Sequence, residues 1–245
     1  MSTRDIIAKN IACMLHDGDF VNLGVGIPTL VGKYIPEGIE VILHGENGAA
    51  GLGAELEPTG LYDDGETLLR WRENHRGIIP NALKGHKDLA NAGGNHTELI
   101  PGAACFDSLV SFAIARGGHL DMTVLGGMQV DEHGNLANWK IPGKRESGMG
   151  GAMDLVAGTK KVIVAMEHCA KNGAAKLLKQ CTLPLTGEHV VDYVVTELCI
   201  LRLTDKGRTP GFEVTAMAPG ISREELQRKT DSQLRFAESI SEMVL

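Results

Sequence analysis

The chain has 245 residues, 43% of them hydrophobic, only 4% aromatic and 31 of them glycine, with a formal net charge of -7. That length buries a substantial core, and the acidic balance excludes a general nucleic-acid binder, which meets phosphate with a basic face. Five scattered cysteines lack any C-x-x-C pair and, being odd in number, exclude a complete intrachain disulfide framework, so a reducing, cytoplasmic setting is expected.

Ile6, Ile7, Ile11, Ala12, Met14 and Leu15 recur near helical spacing ahead of the breaker Asp17-Gly18-Asp19, with Ser2 or Thr3 available as cap. Arg4, Asp5 and Lys9 interrupt that apolar face, and no stretch of the chain reaches the length of a membrane span, so neither export nor anchoring is expected. FVNL predicts a short buried strand that runs into Gly24-Val25-Gly26-Ile27-Pro28, where Pro28 opens a helix over TLVGKYI. IEVILH predicts a strand covered on both faces, and Gly45-Glu46-Asn47-Gly48 follows it directly.

The stretch from about residue 55 to residue 87 is the most irregular and predicts a surface insertion with a short helix around Glu66 to Asn74. Beyond it, strands are predicted at HLDMTVLG, KKVIVAME and YVVTELCIL, and helices at DSLVSFAIAR, GAAKLLKQ and SREELQRKT. Ser222 and Glu225 make a capping box for the last helix. The alternation around His133-Gly134-Asn135 predicts a hairpin that projects from the sheet. Alternating helices and apolar strands imply one continuous α/β domain over residues 1–245, built on an open, mainly parallel sheet with helices on both faces.

In such a sheet ligands bind outside the carboxyl ends of the strands, which puts Glu46 at the ligand crevice. Taken alone, a carboxylate between glycines is more often a solvated turn residue than a catalyst. GVGIPT lacks the third glycine of a dinucleotide fingerprint, which argues against an NAD site. Nine histidines form no ligand-spaced cluster with the cysteines, so no metal is expected. His44 and His168 read as structural more readily than as acid–base catalysts, and Trp139 as a packing residue.

Four segments in order change the weighing: GVGIPTLV, GENGAAGLG, LGGMQVDEHGNLANWKIPG and GMGGAMDLV. Together they resemble the family I coenzyme A transferases of the succinyl-CoA:3-oxoacid and acetate or butyrate-acetoacetate type, and the resemblance extends through MEHCAKNGAAKLLKQCTLPLTG. It implies that Glu46 is the nucleophile, carrying CoA between short-chain carboxylic acids by a ping-pong route through a glutamyl-CoA thioester. It implies that the Gly151 amide serves the oxyanion, that Gly148 and Gly150 shape the same loop, and that Gly24, Val25, Gly26, Asn47 and Gly48 border the CoA or acyl channel. The family usually has Ser before this Glu, where this chain has Gly45.

By the same resemblance the chain is the B half of an enzyme whose A (alpha) subunit completes the acyl pocket, with two AB pairs as the expected assembly. CoA and acyl-CoA enter as substrates, and no tightly bound cofactor is expected. The competing readings are a non-catalytic ligand sensor and a sugar-phosphate isomerase on a related fold.

Overall fold

The computed structural model describes residues 1–56, 88–143, 145–146 and 148–245. The predicted insertion and its helix around Glu66 to Asn74 fall outside the described residues, apart from the insertion's first two positions. Helix α1 (Thr3–Ala12) begins with a reciprocal capping box between Ser2 and Asp5, so Ser2 rather than Thr3 is the cap. Strand β1 (Phe20–Leu23) matches FVNL. The next segment, Pro28–Tyr34, is a 3-10 helix rather than an α-helix. Gly32 at its centre lets the turn approach Leu43 and Leu23, and only seven residues separate its start from the next break, a length suited to the tighter helix.

Strands β2 (Ile42–Gly45) and β3 (Ala49–Glu55) form an antiparallel pair across the turn that carries Glu46. After β4 (Thr97–Cys105) comes helix α2 (Ser108–Arg116), capped by the Asp107 carboxylate on the Val110 N–H. Strand β5 (Met122–Gly126) leads to β6 (Gln129–Asp131) and β7 (Leu136–Ala137), which form the expected hairpin. A small ribbon of β8 (Lys140–Ile141) and β9 (Arg145–Glu146) precedes helix α3 (Ala152–Gly158). The remaining elements are β10 (Lys161–Ala165), β11 (Leu177–Leu178), β12 (Tyr193–Val195), β13 (Cys199–Leu203), β14 (Phe212–Met217), helix α4 (Arg223–Arg228) and β15 (Leu234–Glu242).

Ten strands form one sheet in the order β15-β14-β13-β12-β10-β5-β1-β2-β3-β4. Its centre, β12 to β2, is parallel throughout, while antiparallel pairs flank it on both sides. Successive residues of the central strands feed two different cores. Val162 and Val164 of β10 enter one with helices α3 and α4, whereas Ile163 and Ala165 enter the other with α1. Helices therefore cover both faces, which is why these strands read as continuous apolar runs.

Two sequence expectations fail for tertiary reasons. GAAKLLKQ is not helical: the Lys176 and Leu178 carbonyls accept the Val130 and Glu132 N–H groups, so β11 runs as a parallel strand beside β6 and buries Leu177. YVVTELCIL is two strands, not one. The Thr196 hydroxyl accepts the Leu198 and Cys199 N–H groups and turns the chain back on itself, a side-chain turn that competes with strand continuation. At α4 the Ser222 half of the capping box is present, accepting the Glu225 N–H.

Candidate active site

Adjacent parallel strands β5, β1 and β2 end on the same side of the sheet. Their carboxyl ends surround a cleft of about 390 Å³ lined by Leu23, Gly24 and Val25 after β1, Glu46 after β2, and Leu125 to Met128 at the end of β5. The loop Gly148–Gly151 and the start of α3 close it from above the sheet edge. Three polar side chains face it: Glu46, Asn22 and Asn138. Among the described lining residues Glu46 alone carries a charge.

Glu46 occupies the second position of a β-turn closed by the Gly48 N–H donating to the Gly45 carbonyl at 3.0 Å. Gly48 has φ +119, and a Cβ there would overlap the Phe106 carbonyl, so only glycine fits. The Asn47 amide leaves the cleft and donates to the Ala90 carbonyl at 2.7 Å. The turn thus projects the Glu46 side chain alone over the strand ends.

The carboxylate is half-buried and accepts the backbone N–H of Gly151. Burial raises its pKa, the Gly151 N–H pulls it back, and the neighbouring Asp154 carboxylate raises it again. Asp154 is itself paired with Arg116 at 2.7 Å. Gly151 is tightly enclosed: a Cβ would lie 2.5 Å from Glu46 Oε2 and 2.5 Å from Phe112 Cε1. A backbone amide reaches the carboxylate here because the residue has no side chain.

Glu46, Gly151, Gly24, Val25, Gly148 and Gly150 therefore meet around one cleft. Gly26, Asn47 and Gly48 are not among its lining residues: Gly26 offers its carbonyl to the Thr29 hydroxyl, and the other two build the turn. Sequence reading missed Asn22, Asn138 and Phe112. The signal for Asn22 was present, as the one polar residue in an otherwise apolar strand. Asn138 donates to the Gly126 carbonyl and accepts from Thr186, joining the NLANW segment to the end of β5. Phe112 looked like any helical core residue.

His168 is fully buried between the Thr196 and Thr230 hydroxyls at 3.1 and 3.0 Å, away from the cleft, with a pKa lowered to about 4, first by burial. Trp139 donates its indole N–H to the Leu185 carbonyl. Among the described residues no group of three His, Cys, Asp or Glu side chains is placed to hold a metal, and no helix is long and apolar enough to cross a membrane.

The family model described as coenzyme A transferase matches residues 76–229. The beta subunit of the acetate CoA-transferase of Escherichia coli strain K12 is 46% identical over 241 residues, covering 98% of this chain and 97% of that protein. This chain belongs to the coenzyme A transferase family. Its likeness extends to the B polypeptide of a probable succinyl-CoA:3-ketoacid coenzyme A transferase from Bacillus subtilis, 40% identical over 97% of both chains, and both relatives are family I B subunits. An acyl-CoA transferase of Escherichia coli O157:H7 superposes with a TM-score of 0.68 at 20% identity, over 99% of this chain and 43% of that one. The CoA transferase is thus an α/β enzyme whose cleft lies at the carboxyl ends of its parallel strands.

Proposed function

We propose that this CoA transferase moves CoA between short-chain carboxylic acids by covalent catalysis at Glu46. The observation that carries the proposal is the half-buried Glu46 carboxylate, projected over a cleft and bonded to the Gly151 N–H. The carboxylate attacks the thioester carbonyl of an acyl-CoA and expels CoA thiolate, leaving an acyl-glutamyl anhydride. The thiolate then attacks the glutamyl carbonyl, breaks the anhydride and releases the first acid as its carboxylate, leaving glutamyl-CoA. An incoming carboxylate reverses both steps. Atoms and charge balance at each stage without an external oxidant or reductant.

Two features of the site suit this route. Withdrawal of water and the nearby Asp154 charge make the Glu46 carboxylate more basic than a solvated one, and so a better nucleophile. Whenever thiolate or acid attacks the glutamyl carbonyl, the oxyanion forms on a former Glu46 carboxylate oxygen. The Gly151 N–H is already at that carboxylate, so the donor is pre-organised where charge develops.

The relatives named as beta or B chains support an A chain as partner, closing the open side of the cleft. Gly24, Val25, Gly148 and Gly150 form the channel through which pantetheine reaches Glu46. The preferred acids are acetoacetate or a related 3-oxoacid, exchanged with acetate, butyrate or succinate. The test is intact-protein mass spectrometry of the chain co-purified with its A partner after mixing with acetoacetyl-CoA, beside a Glu46→Gln control. A CoA-sized adduct that is absent from the control and discharged by a carboxylic acid is expected. Absence of an adduct from an assembled complex, across several short acyl-CoAs, would return the sensor and isomerase readings.

A further inference from the structure

Beneath the Glu46 turn lies a row of four buried polar side chains that CoA-transfer chemistry at Glu46 does not itself require. Thr123, Asn22 and His44 stand at matched register positions on neighbouring strands β5, β1 and β2, and Ser111 of α2 extends the row. Their exposures are 0%, 1%, 2% and 0%. Apolar side chains would fill such positions without the desolvation cost of burying polar atoms.

The hydrogen bonds of the row have a single consistent direction. The Thr123 hydroxyl donates to Asn22 Oδ1 at 3.2 Å. Asn22 Nδ2 donates to the His44 carbonyl at 3.1 Å and faces His44 Nδ1 at 3.2 Å. An amide NH2 has no lone pair to offer, so Nδ1 accepts and the proton of the neutral ring sits on Nε2. Nε2–H then donates to Ser111 Oγ at 3.0 Å, and the Ser111 hydroxyl donates to the Gly45 carbonyl at 3.4 Å. Phe20 and Phe106 enclose the imidazole edge-on and face-on.

The row ends on the backbone of the nucleophile turn. The carbonyls of His44 and Gly45, the two residues immediately before Glu46, are both held by its side chains, and the Gly45 carbonyl also closes the turn. Asn22 lines the cleft at the other end of the same linkage. We propose that His44 is a positioning residue of the transferase, and that the Thr123–Asn22–His44–Ser111 row fixes the two peptide units ahead of Glu46 so that its carboxylate is held against the Gly151 amide. This rests on the reading of Glu46 as nucleophile.

The experiment uses the chain assembled with its A partner and compares His44→Leu, His44→Gln and Ser111→Ala with the parent. Leu fills the volume without hydrogen bonds. Gln supplies an oxygen to accept from Asn22 and an NH2 to donate to Ser111. Single-turnover adduct formation and the steady-state KM and kcat are the readouts, with a melting curve for each variant.

The expected result for His44→Leu is a fall in adduct-forming rate and kcat of about 100-fold with KM for acyl-CoA within about threefold, the pattern of a misplaced reacting group. His44→Gln should recover to within about tenfold of the parent, and Ser111→Ala, which cuts only the last link, should slow the same step by about tenfold. Adduct formation at the parental rate in folded His44→Leu would overturn the proposal. So would equal loss in the Leu and Gln variants accompanied by a matching rise in KM. If His44→Leu does not fold, Ser111→Ala decides by the same two criteria. A parent complex that forms no adduct would refute the nucleophile reading instead, and is distinguished by that control.

Discussion

Replacing Gly151 by alanine tests the catalytic geometry with a single methyl group. The new Cβ would sit 2.5 Å from Glu46 Oε2 and 2.5 and 2.8 Å from Cε1 and Cζ of Phe112. Ordinary carbon contacts lie near 3.5–4.0 Å, so either the carboxylate or the ring must retreat by about 1 Å. The carboxylate is the softer partner, because it stands on an exposed-side turn, whereas Phe112 is on a helix anchored by the buried Ser111. Its retreat would stretch the Gly151 N–H bond and misalign the nucleophile. A displacement of about 1 Å costs on the order of 100-fold, and loss of one oxyanion donor costs about 100- to 1,000-fold. These describe the same event and do not multiply. We expect kcat in the assembled enzyme to fall by about 100- to 1,000-fold, with a stability loss of about 1–3 kcal/mol from overpacking. Steady-state transfer from acetoacetyl-CoA to acetate, paired with urea unfolding, measures both. Activity within about threefold of the parent, in a variant that melts normally, would refute the role given to this amide.

Other outcomes follow from the same site. Glu46→Gln is expected to abolish transfer and adduct formation while raising the melting temperature, since burial lifts the pKa of this carboxyl and its charged form is disfavoured by folding; a lower melting temperature would contradict that account. His44 and His168 have pKa values lowered to about 4 from an ordinary 6.5. Between those values the unfolded chain binds more protons, so their contribution is intact above pH 6.5 and is lost as pH falls towards 4, by up to about 3 kcal/mol each. The raised Glu46 pKa offsets a part of this. Urea unfolding from pH 7 to 4.5 should show the decline, and the His44→Gln variant should show a shallower one. For Gly45→Ser the added Cβ would meet Asn47 Oδ1 at 2.7 Å and Leu52 Cδ1 at 3.0 Å. The Asn47 amide can rotate away and give up its bond to the Ala90 carbonyl, so a loss of about 1 kcal/mol and transfer within about tenfold of the parent are expected in unfolding and rate assays. Gly48→Ala, in contrast, meets both a positive φ and a backbone carbonyl, and its unfolding midpoint should report a cost above about 2 kcal/mol.

The sequence by itself determined the parallel centre of the sheet and the place of Glu46. Runs such as KVIVA and MTVLG are apolar at every position because alternate residues enter different cores, and a glycine-flanked carboxylate directly after such a strand lies at its carboxyl end. The ordered glycine motifs added the family and brought Gly151 into consideration. What the tertiary structure alone decided is how those pieces meet. GAAKLLKQ has helical propensity, yet β6 takes its backbone hydrogen bonds; YVVTELCIL is uniformly strand-like, yet the Thr196 hydroxyl folds it into a hairpin. Asn22, Thr123, His44 and Ser111 lie on four elements spread over about 100 residues of chain, and each separately looks like an isolated polar residue in an apolar segment. Strand register aligns the first three, and helix α2 delivers the fourth. Local pattern sets which residues are buried; register between strands distant in sequence sets which buried polar atoms become partners, and that is where the support of Glu46 is made.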